Sequence, residues 1–213
     1  MRIFFGGLII LLFVNSCGTD TSENQHFEIN EKDFLRDIPV YADDRLVNVI
    51  VEIPAGCNQK WEVNKETGFL DWETAGNDSL REIKYLPYPA NYGMIPGTLL
   101  AEEDGGDNDP LDVFLLGPSL RRGTVMPARI VGIVFIKDKQ EQDDKLIAVQ
   151  TDSWFYKVHS LDDLNRYFPG ITDILVQWLI NYKGPGIVIF EGFGDEYEAN
   201  KVLEKAIQGF EKI

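Results

Sequence analysis

An acidic segment beside a predicted strand is the feature of this sequence with the clearest chemical potential. The segment Asp107-Asn108-Asp109-Pro110-Leu111-Asp112 follows Glu102, Glu103 and Asp104. Most charge runs are solvated loops, which is the simplest interpretation. Asp112, however, occupies the polar register of an alternating pattern and leads into Val113-Phe114-Leu115-Leu116, so carboxylates reach the mouth of a buried strand. An unpaired carboxylate there is costly, and a bound divalent cation would offset that cost.

A second acidic group follows another predicted strand. Asp138, Asp143 and Asp144 lie between an apolar strand that ends at Ile136 and the segment 145–149. A hairpin turn is the simplest interpretation. If both strands belong to one barrel, the turn can face the first acidic segment, and two parts of the chain then supply carboxylates to one cavity. Phosphate sites with divalent ions about 3.5 to 4 Å apart are built in this way.

The types of candidate ligand restrict the class of enzyme. The acidic segment does not match an EF-hand, since Leu111 stands where the third ligand should be. The chain also contains no Walker loop, no G-x-S-x-G motif and no H-E-x-x-H motif, and His26 and His159 are isolated. A zinc enzyme or a nucleophilic triad is therefore not expected. Oxygen ligands alone favour Mg²⁺ or a similarly hard ion.

Basic and hydroxyl-bearing residues indicate what such ions would act on. They are Lys60 (with Glu62 on the same strand), Arg81, Lys84, Tyr88, Tyr92, Tyr182 and Lys183. Each of them alone is more often part of a surface salt bridge. Cations placed among carboxylates are costly unless they meet an anion, and phosphate oxygens are a common one. The combination favours a substrate that contains phosphate.

The elements that would position these residues are mostly short strands. Alternating or β-branched segments bounded by Gly, Pro, Asn and Asp predict strands at 47–53, 60–63, 69–72, 111–116, 124–136, 145–149 and 187–191. Apolar stripes with helical spacing occur at Ile171, Ile174, Leu175, Trp178, Leu179 and Tyr182, and at Ala199, Val202, Leu203, Ala206, Ile207 and Phe210. Ser160–Asp163 resembles a capping box. We expect a mainly β protein with flanking helices (α+β), in which two helices pack on a closed or nearly closed antiparallel sheet.

Length and net charge limit the number of domains and the kinds of partner that we expect. The chain has 213 residues, which suits one domain, and its apolar fraction of 44% excludes disorder of the whole chain. Its formal net charge is −15, and this field repels a nucleic-acid backbone. We therefore expect no nucleic-acid partner.

The N-terminus has the pattern of an export signal. A positive end precedes the apolar run 3–14, which is too short to span a bilayer, so residues 1–16 are predicted to be a signal peptide. Val14-Asn15-Ser16-Cys17 resembles a bacterial lipobox, which predicts lipidation of Cys17. The alternative is a disulfide between Cys17 and Cys57. Residues 17–33 would then be a tether and 34–213 the domain, held at the membrane by a lipid anchor only and facing the periplasm.

The motifs together carry a family resemblance. In order along the chain they are Glu52-Ile53-Pro54, Lys60-Trp61-Glu62, Tyr88-Pro89-Ala90-Asn91-Tyr92-Gly93, Asp107-Asn108-Asp109-Pro110-Leu111-Asp112-Val113, the segment 138–145 and Tyr182-Lys183. They resemble the successive motifs of soluble family I inorganic pyrophosphatases from about Val47 to the C-terminus. The resemblance implies an OB-like five-stranded β-barrel with flanking helices, in agreement with the predicted elements.

The resemblance also implies roles for individual residues. Several Mg²⁺ ions would be held by Asp107, Asp112, Asp138 and Asp143, with Glu52 contributing. Asp109 would lie nearest the attacking water, with Glu62 and Tyr92 supporting the catalytic site. Pyrophosphate would be bound by Lys60, Arg81, Tyr88, Lys145, Tyr182 and Lys183. Bacterial relatives are commonly hexamers, so a homo-oligomer is expected.

Three features depart from the family pattern. Arg81 aligns with the family's arginine only across a gap, and Lys84 is its rival. Lys139 stands where many bacterial members have a second acid. The export signal is atypical of a family that is usually cytoplasmic. Mg²⁺-dependent hydrolysis of diphosphate is the expected activity, and the alternative is a catalytically silent lipoprotein that binds divalent metal or phosphate on the same fold.

Overall fold

The computed structural model describes residues 32–76, 79–101, 106, 108–139 and 141–212. The predicted signal peptide, Cys17, most of the predicted tether and Asp107 lie outside the described residues. The strands are β1 (Tyr41–Asp43), β2 (Leu46–Ile53), β3 (Trp61–Val63), β4 (Leu70–Trp72), β5 (Asn91–Met94), β6 (Asp112–Leu116), β7 (Val125–Asp138), β8 (Glu141–Gln142), β9 (Lys145–Gln150) and β10 (Val188–Gly194). The helices are α1 (Leu161–Tyr167), α2 (Ile171–Leu179) and α3 (Glu196–Phe210).

Five strands close into a barrel, as the resemblance implies. The order β2-β5-β6-β9-β7 forms a continuous sheet, and β7 returns to pair with β2 from Val47–Ala128 to Ile50–Val125. Both sides of these strands are largely apolar, and β2 and β9 are buried along almost their full length. Closure leaves these five strands without an open edge in the barrel. The prediction of a wholly antiparallel sheet is wrong at one pair, because β6 and β9 are parallel.

The parallel pair explains why several predicted site residues share one rim of the barrel. Val113 pairs with Leu146, so the preceding residues, Asp112 and Lys145, are neighbours at the start of β6 and β9. Strand β7 runs antiparallel to β9 and therefore ends at this same rim, at Asp138. The short hairpin of β7 and β8 then returns the chain to Lys145. Three strands thus present their polar ends together.

The helices differ from the sequence prediction in one respect. Where one helix was predicted after Ser160, the structure has α1 and α2, separated at Pro169 and Gly170. Proline cannot donate a backbone hydrogen bond, and Gly170 has φ +89°, a left-handed conformation that ends the helical path. The predicted capping role of Ser160 is confirmed, since its side chain accepts from the amide of Asp163 at 3.1 Å.

The apolar stripes mostly pack on the barrel as predicted. Leu175, Trp178 and Leu179 of α2 are buried, and Ala199, Leu203 and Ala206 of α3 are fully buried. Ile174 is an exception, because 58% of it is exposed. Within the described part of the chain, none of the helices has the length and apolarity needed to span a membrane.

Candidate active site

Lys145 is the centre of the charged rim. It is only 5% exposed, and its Nζ donates to Oδ2 of Asp112 at 2.6 Å and also to Oδ1 of Asp143. Burial would lower the pKa of Lys145, but the two carboxylates outweigh this and raise it. Burial also raises the pKa of Asp143, whereas Lys145 and Lys60 hold the pKa of Asp112 below its usual range despite its burial. Lys145 therefore remains charged and stabilises two adjacent carboxylates.

The end of β7 supplies a second such pair. Oδ2 of Asp138 accepts from Nζ of Lys183, whereas its buried Oδ1 has no hydrogen-bond partner among the described residues. A buried polar atom without a partner is uncommon in native proteins, and a bound ion is one way to satisfy it. Asp144 has a different role, because its Oδ1 accepts from the amide of Ile136 at 3.0 Å and from Nε2 of Gln142 at 2.6 Å. Asp144 thus fixes the hairpin that carries Asp143.

Glu52 is the most deeply buried of the predicted ligands, with 3% of its surface exposed. Its Oε1 accepts from the amide of Val63 at 2.7 Å, which links β2 to β3. Burial, opposed by the charge of Lys60 and assisted by that of Asp112, raises the pKa of Glu52 to about 8. Without a further cation, this side chain is therefore largely protonated at neutral pH.

An aromatic cluster lies beneath the charged rim. Tyr88 contacts Trp178 with ring centroids 4.5 Å apart, and Trp178 stacks on Tyr182 at 4.4 Å. Tyr92 donates a hydrogen bond to Asp112, and burial raises the pKa of Tyr92 far above its ordinary value. Tyr92 and Tyr88 are both buried, and Tyr88 is not among the described residues that line the cavity above. The structure thus places Tyr182 at the surface of the site and the other two tyrosines under it.

Three connected cavities surround these residues. The inner cavity, about 200 Å³, is lined by Lys60, Glu62, Glu73, Arg81, Asp109, Asp112, Asp138, Glu141, Gln142, Asp143, Lys145, Tyr182 and Lys183. The side cavity, about 500 Å³, shares five of these residues and extends past Glu52 and Lys65. The outer cavity, about 380 Å³, shares Arg81, Tyr182 and Lys183. The inner cavity gathers ten of the residues that the sequence singled out.

Arg81 lies in the inner cavity, whereas its rival Lys84 lines only the outer one. The guanidinium of Arg81 donates to Oε1 of Glu73, whose buried Oε2 has no hydrogen-bond partner in the part of the chain that the structure describes. Burial would lower the pKa of Arg81, but Glu73 raises it. Sequence reasoning missed Glu73, because nothing in the neighbouring sequence distinguishes this acid. Its role depends on a contact with Arg81 that exists only in the folded protein.

Asp109 lies at the border of the inner and side cavities. Its Oδ1 accepts from Nζ of Lys65, whose own backbone carbonyl accepts from Arg36 at 2.9 Å. Lys60 is partly buried and pairs with Glu62 at 3.3 Å. Burial would lower the pKa of Lys60, but Tyr88 and the nearby carboxylates raise it. Lys65 is the second residue that sequence reasoning missed, because it follows the predicted strand at a loop position.

The donor set fits Mg²⁺. Among the described residues, no three Asp, Glu, His or Cys side chains approach closely enough to enclose an ion, because the amino groups of Lys145 and Lys183 lie between the carboxylates. The donors are nevertheless all oxygen, one buried oxygen of Asp138 has no hydrogen-bond partner among the described residues, and burial raises the pKa of Glu52 to about 8. Hard divalent cations prefer such ligands.

The fold and site together define a metal-dependent hydrolase of phosphate-containing anions, built on a five-stranded barrel. Comparison with known proteins identifies the family to which this hydrolase belongs. The sequence model of the family described as "Inorganic pyrophosphatase" matches residues 49–211. The chain therefore belongs to the inorganic pyrophosphatase family, whose members hydrolyse inorganic diphosphate with Mg²⁺.

Individual relatives agree with this assignment. The chain is 36% identical to the inorganic pyrophosphatase of Sulfolobus acidocaldarius over 167 residues, which cover 76% of this chain and 90% of that protein. It is 31% identical to the inorganic pyrophosphatase of Helicobacter pylori over 191 residues, or 83% of this chain and 98% of that protein. The solved structure of the Schistosoma japonicum inorganic pyrophosphatase superposes with a TM-score of 0.79 at 28% identity, covering 84% of this chain and 71% of that one.

Proposed function

We propose that this protein hydrolyses inorganic diphosphate to two phosphates, with the residues of the inner cavity as its catalytic site. The observation that carries the proposal is the convergence of three aspartates, three lysines, an arginine and a tyrosine on a cavity of about 200 Å³: Asp112, Asp138, Asp143, Lys60, Lys145, Lys183, Arg81 and Tyr182. Such a cavity offers ligands for divalent cations and donors for phosphate oxygens. Family membership supports the same reaction.

Asp112, Asp138 and Asp143 would hold the cations, together with Glu52 and with Asp107 of the same acidic motif. Bound Mg²⁺ supplies positive charge for the phosphoryl oxygens and lowers the pKa of water. The buried Oδ1 of Asp138, which has no hydrogen-bond partner among the described residues, and the raised pKa of Glu52 support this assignment. A bound cation would be a partner for the first and would favour the ionised form of the second.

Lys60, Arg81, Lys145 and Lys183 would bind the oxygens of diphosphate, with the hydroxyl of Tyr182 as a further donor. Lys145 and Lys183 pair with carboxylates in the structure and can donate to phosphate once cations neutralise those carboxylates. Fixed cations spread the negative charge of a loose phosphoryl-transfer transition state. Tyr92, through its hydrogen bond to Asp112, and Tyr88 support the floor of the cavity.

Asp109 would accept the proton of the attacking water. The oxygen of that water forms a bond to one phosphorus, the bond from this phosphorus to the bridging oxygen breaks, and the second phosphate leaves. The position of Asp109 at the border of two cavities leaves its carboxylate accessible to water, with half of the side chain exposed. Glu62, which pairs with Lys60, would keep that lysine in place.

The test of this assignment is the Asp109→Asn variant. We expect it to fold normally and to lose at least 100-fold in kcat, the usual scale of general-base catalysis. Asp162→Asn, on the exposed start of α1, is the control and should keep full activity. Equal activity of the Asp109 and Asp162 variants would refute the role of Asp109.

We also propose a cellular location for the protein. The positive end, the apolar run and Cys17 of the N-terminal sequence support an exported lipoprotein, anchored through a lipid on Cys17 and facing the periplasm. Expression with radiolabelled palmitate tests this proposal. Label incorporated into the wild type and lost in Cys17→Ala is the expected result, and label in neither protein would contradict it.

A homo-oligomer is the proposed assembly. Support comes from large apolar side chains at the surface, since Trp154, Tyr156 and Ile174 are each more than half exposed. Light scattering of the purified protein tests the proposal. A mass at least twice that of the single purified chain is expected, and a monomer at micromolar concentration would contradict the proposal.

A further inference from the structure

The outer cavity has a basic lining, and the proposed reaction does not use two of its cations, Lys84 and Lys139. Four cationic side chains line it, and Glu82 is the one acidic side chain among its described lining residues: the cations are Arg81, Lys84, Lys139 and Lys183. The whole chain carries only 20 lysines and arginines against 35 acids. The lining of the outer cavity is therefore positively charged, whereas the chain as a whole has a large negative net charge.

Two of these cations have no ion-pair partner among the residues that the structure describes. Arg81 pairs with Glu73 and Lys183 pairs with Asp138. Neither Lys84 nor Lys139 forms an ion pair with any described residue. Two unpaired ammonium groups beside two further cations repel one another, and an anion between them would relieve that repulsion.

Lys139 is held at this position by the backbone. It follows Asp138 directly, and its own amide donates to the carbonyl of Ile187 at 3.3 Å. Its φ of +50° is unusual for a residue with a side chain. The turn therefore keeps Lys139 at the outer cavity, next to a carboxylate that lines the inner one.

The outer and inner cavities adjoin each other. Arg81, Tyr182 and Lys183 line both. These three residues are among the five to which the proposed function assigns oxygens of diphosphate. A further phosphoryl group attached to that diphosphate would extend past them toward Lys84 and Lys139.

We infer that the outer cavity is a subsite for one additional phosphoryl group, so that the site binds linear inorganic triphosphate across the inner and outer cavities. The inference rests on the proposed function, which places diphosphate in the inner cavity. The same lysines could also hold free inorganic phosphate, since the recognised group is the same. Lys84 and Lys139 do not line the inner cavity, to which the proposed function assigns diphosphate.

The test compares a double variant, Lys84→Gln with Lys139→Gln, with a control that loses the same charge elsewhere. Lys201→Gln with Lys205→Gln, on the exposed face of α3, is that control. Inhibition of diphosphate hydrolysis by triphosphate is measured for both, with Mg²⁺ present. We expect the inhibition constant of triphosphate to rise at least five-fold in the outer-cavity variant and less than two-fold in the control. The kcat/KM for diphosphate should stay within two-fold of wild type in both.

Binding calorimetry separates the inference from the proposed function. Full-length protein with Asp109→Asn, with and without the two lysine substitutions, is titrated with triphosphate, diphosphate and inorganic phosphate. Loss of affinity for triphosphate alone would support the linked subsite, and loss for inorganic phosphate as well would support a subsite that also takes the free anion. Unchanged affinities, or an equal loss for diphosphate, would overturn the inference. Failure of the wild type to hydrolyse diphosphate would instead contradict the proposed function, and the binding data would still decide the inference.

Discussion

At the scale of single residues, the site consists of buried charges of opposite sign that stabilise one another. Lys145 is the clearest case, because it lies between Asp112 and Asp143 with almost none of its surface exposed. Glu52 lacks an equivalent partner, and its pKa rises to about 8 as a result of burial. The ionised form of the Glu52 side chain is costly to bury without a nearby cation, and the same carboxylate can ligate a metal ion. The electrostatics of the folded protein thus favour the binding of a cation at this carboxylate.

Glu52 makes the stability of the metal-free protein depend on pH. Its pKa is higher in the folded protein than in the unfolded chain, so its contribution to stability is full below about pH 4.5 and is lost as the pH rises toward 8. Glu52→Gln cannot ionise and retains an acceptor for the amide of Val63. With chelator present, we expect the variant to gain several kcal/mol relative to wild type between pH 5 and pH 9.

Urea unfolding of both proteins at the two pH values measures this difference. Comparison with wild type at each pH removes the contributions of other titrating groups. A difference in unfolding free energy that is the same at pH 5 and pH 9 would contradict the assigned pKa.

Glu73 is expected to act through Arg81. Its carboxylate holds the guanidinium at the inner cavity, so Glu73→Gln should lower kcat/KM for diphosphate roughly ten-fold, the scale of a change of about 1.4 kcal/mol. In the Arg81→Ala background the same substitution should have almost no further effect. Steady-state kinetics of the two single variants and the double variant measure this coupling. Fully additive effects would show that Glu73 does not act through Arg81.

The residue roles were predictable to different degrees. Aspartates at strand ends, such as Asp112 and Asp138, stand out because an acid at the mouth of a buried strand needs a partner. Lys65 and Glu73 do not stand out, because their importance comes from contacts across the fold. Glu73 meets Arg81 eight residues away, and Lys65 meets Asp109 across 44 residues of sequence. Periodicity cannot reveal such pairs.

At the scale of elements, the junction of β2 with β5 shows how closely the barrel is packed. A Cβ on Gly93 would lie 1.8 Å from the carbonyl oxygen of Ile50 on the neighbouring strand. Glycine is therefore required for the two backbones to approach. The motif that carries Tyr88 and Tyr92 depends on this residue to hold β5 in the barrel.

Gly93→Ala should consequently destabilise the protein by more than about 2 kcal/mol, because backbone must move to admit the methyl group. Gly76→Ala is the matched control, since a Cβ there would meet nothing within 4 Å. Thermal unfolding of both variants measures the effect. Equal unfolding midpoints for the two variants would contradict the described approach of β2 and β5.

The elements that sequence patterns revealed are those with long runs of alternating or apolar residues. The predicted strands at 47–53 and 124–136 correspond to β2 and β7 within two residues at each end. Strands β1, β5 and β8 were missed, because they have two to four residues and contain polar residues or glycine. The parallel pairing of β6 and β9 was also missed, since no local pattern encodes which strands become neighbours.

At the scale of the whole molecule, the net charge of −15 makes cations part of its stability. Any salt reduces the repulsion among excess carboxylates. Mg²⁺ should do more, because it binds a site that exists only in the folded protein. We expect Mg²⁺ to raise the midpoint of thermal unfolding by about 5 °C above KCl of equal ionic strength.

The site-specific part of this effect should disappear when ligands are removed. Asp138→Asn combined with Asp143→Asn should unfold at the same temperature in Mg²⁺ and in KCl of matched ionic strength. Calorimetric scans of wild type and the double variant make the comparison. If the variant keeps the full Mg²⁺-specific shift, these two aspartates do not hold the ion.

Hydrolysis of diphosphate is the central claim, and phosphate release from diphosphate by the purified full-length protein tests it most directly. The reaction is followed with Mg²⁺, with excess chelator, and after Mg²⁺ is restored. We predict two phosphates for each diphosphate consumed, no release with chelator, and recovery when Mg²⁺ is added again. Folded protein that releases no phosphate in the presence of Mg²⁺, or that releases it equally with chelator, would contradict the account.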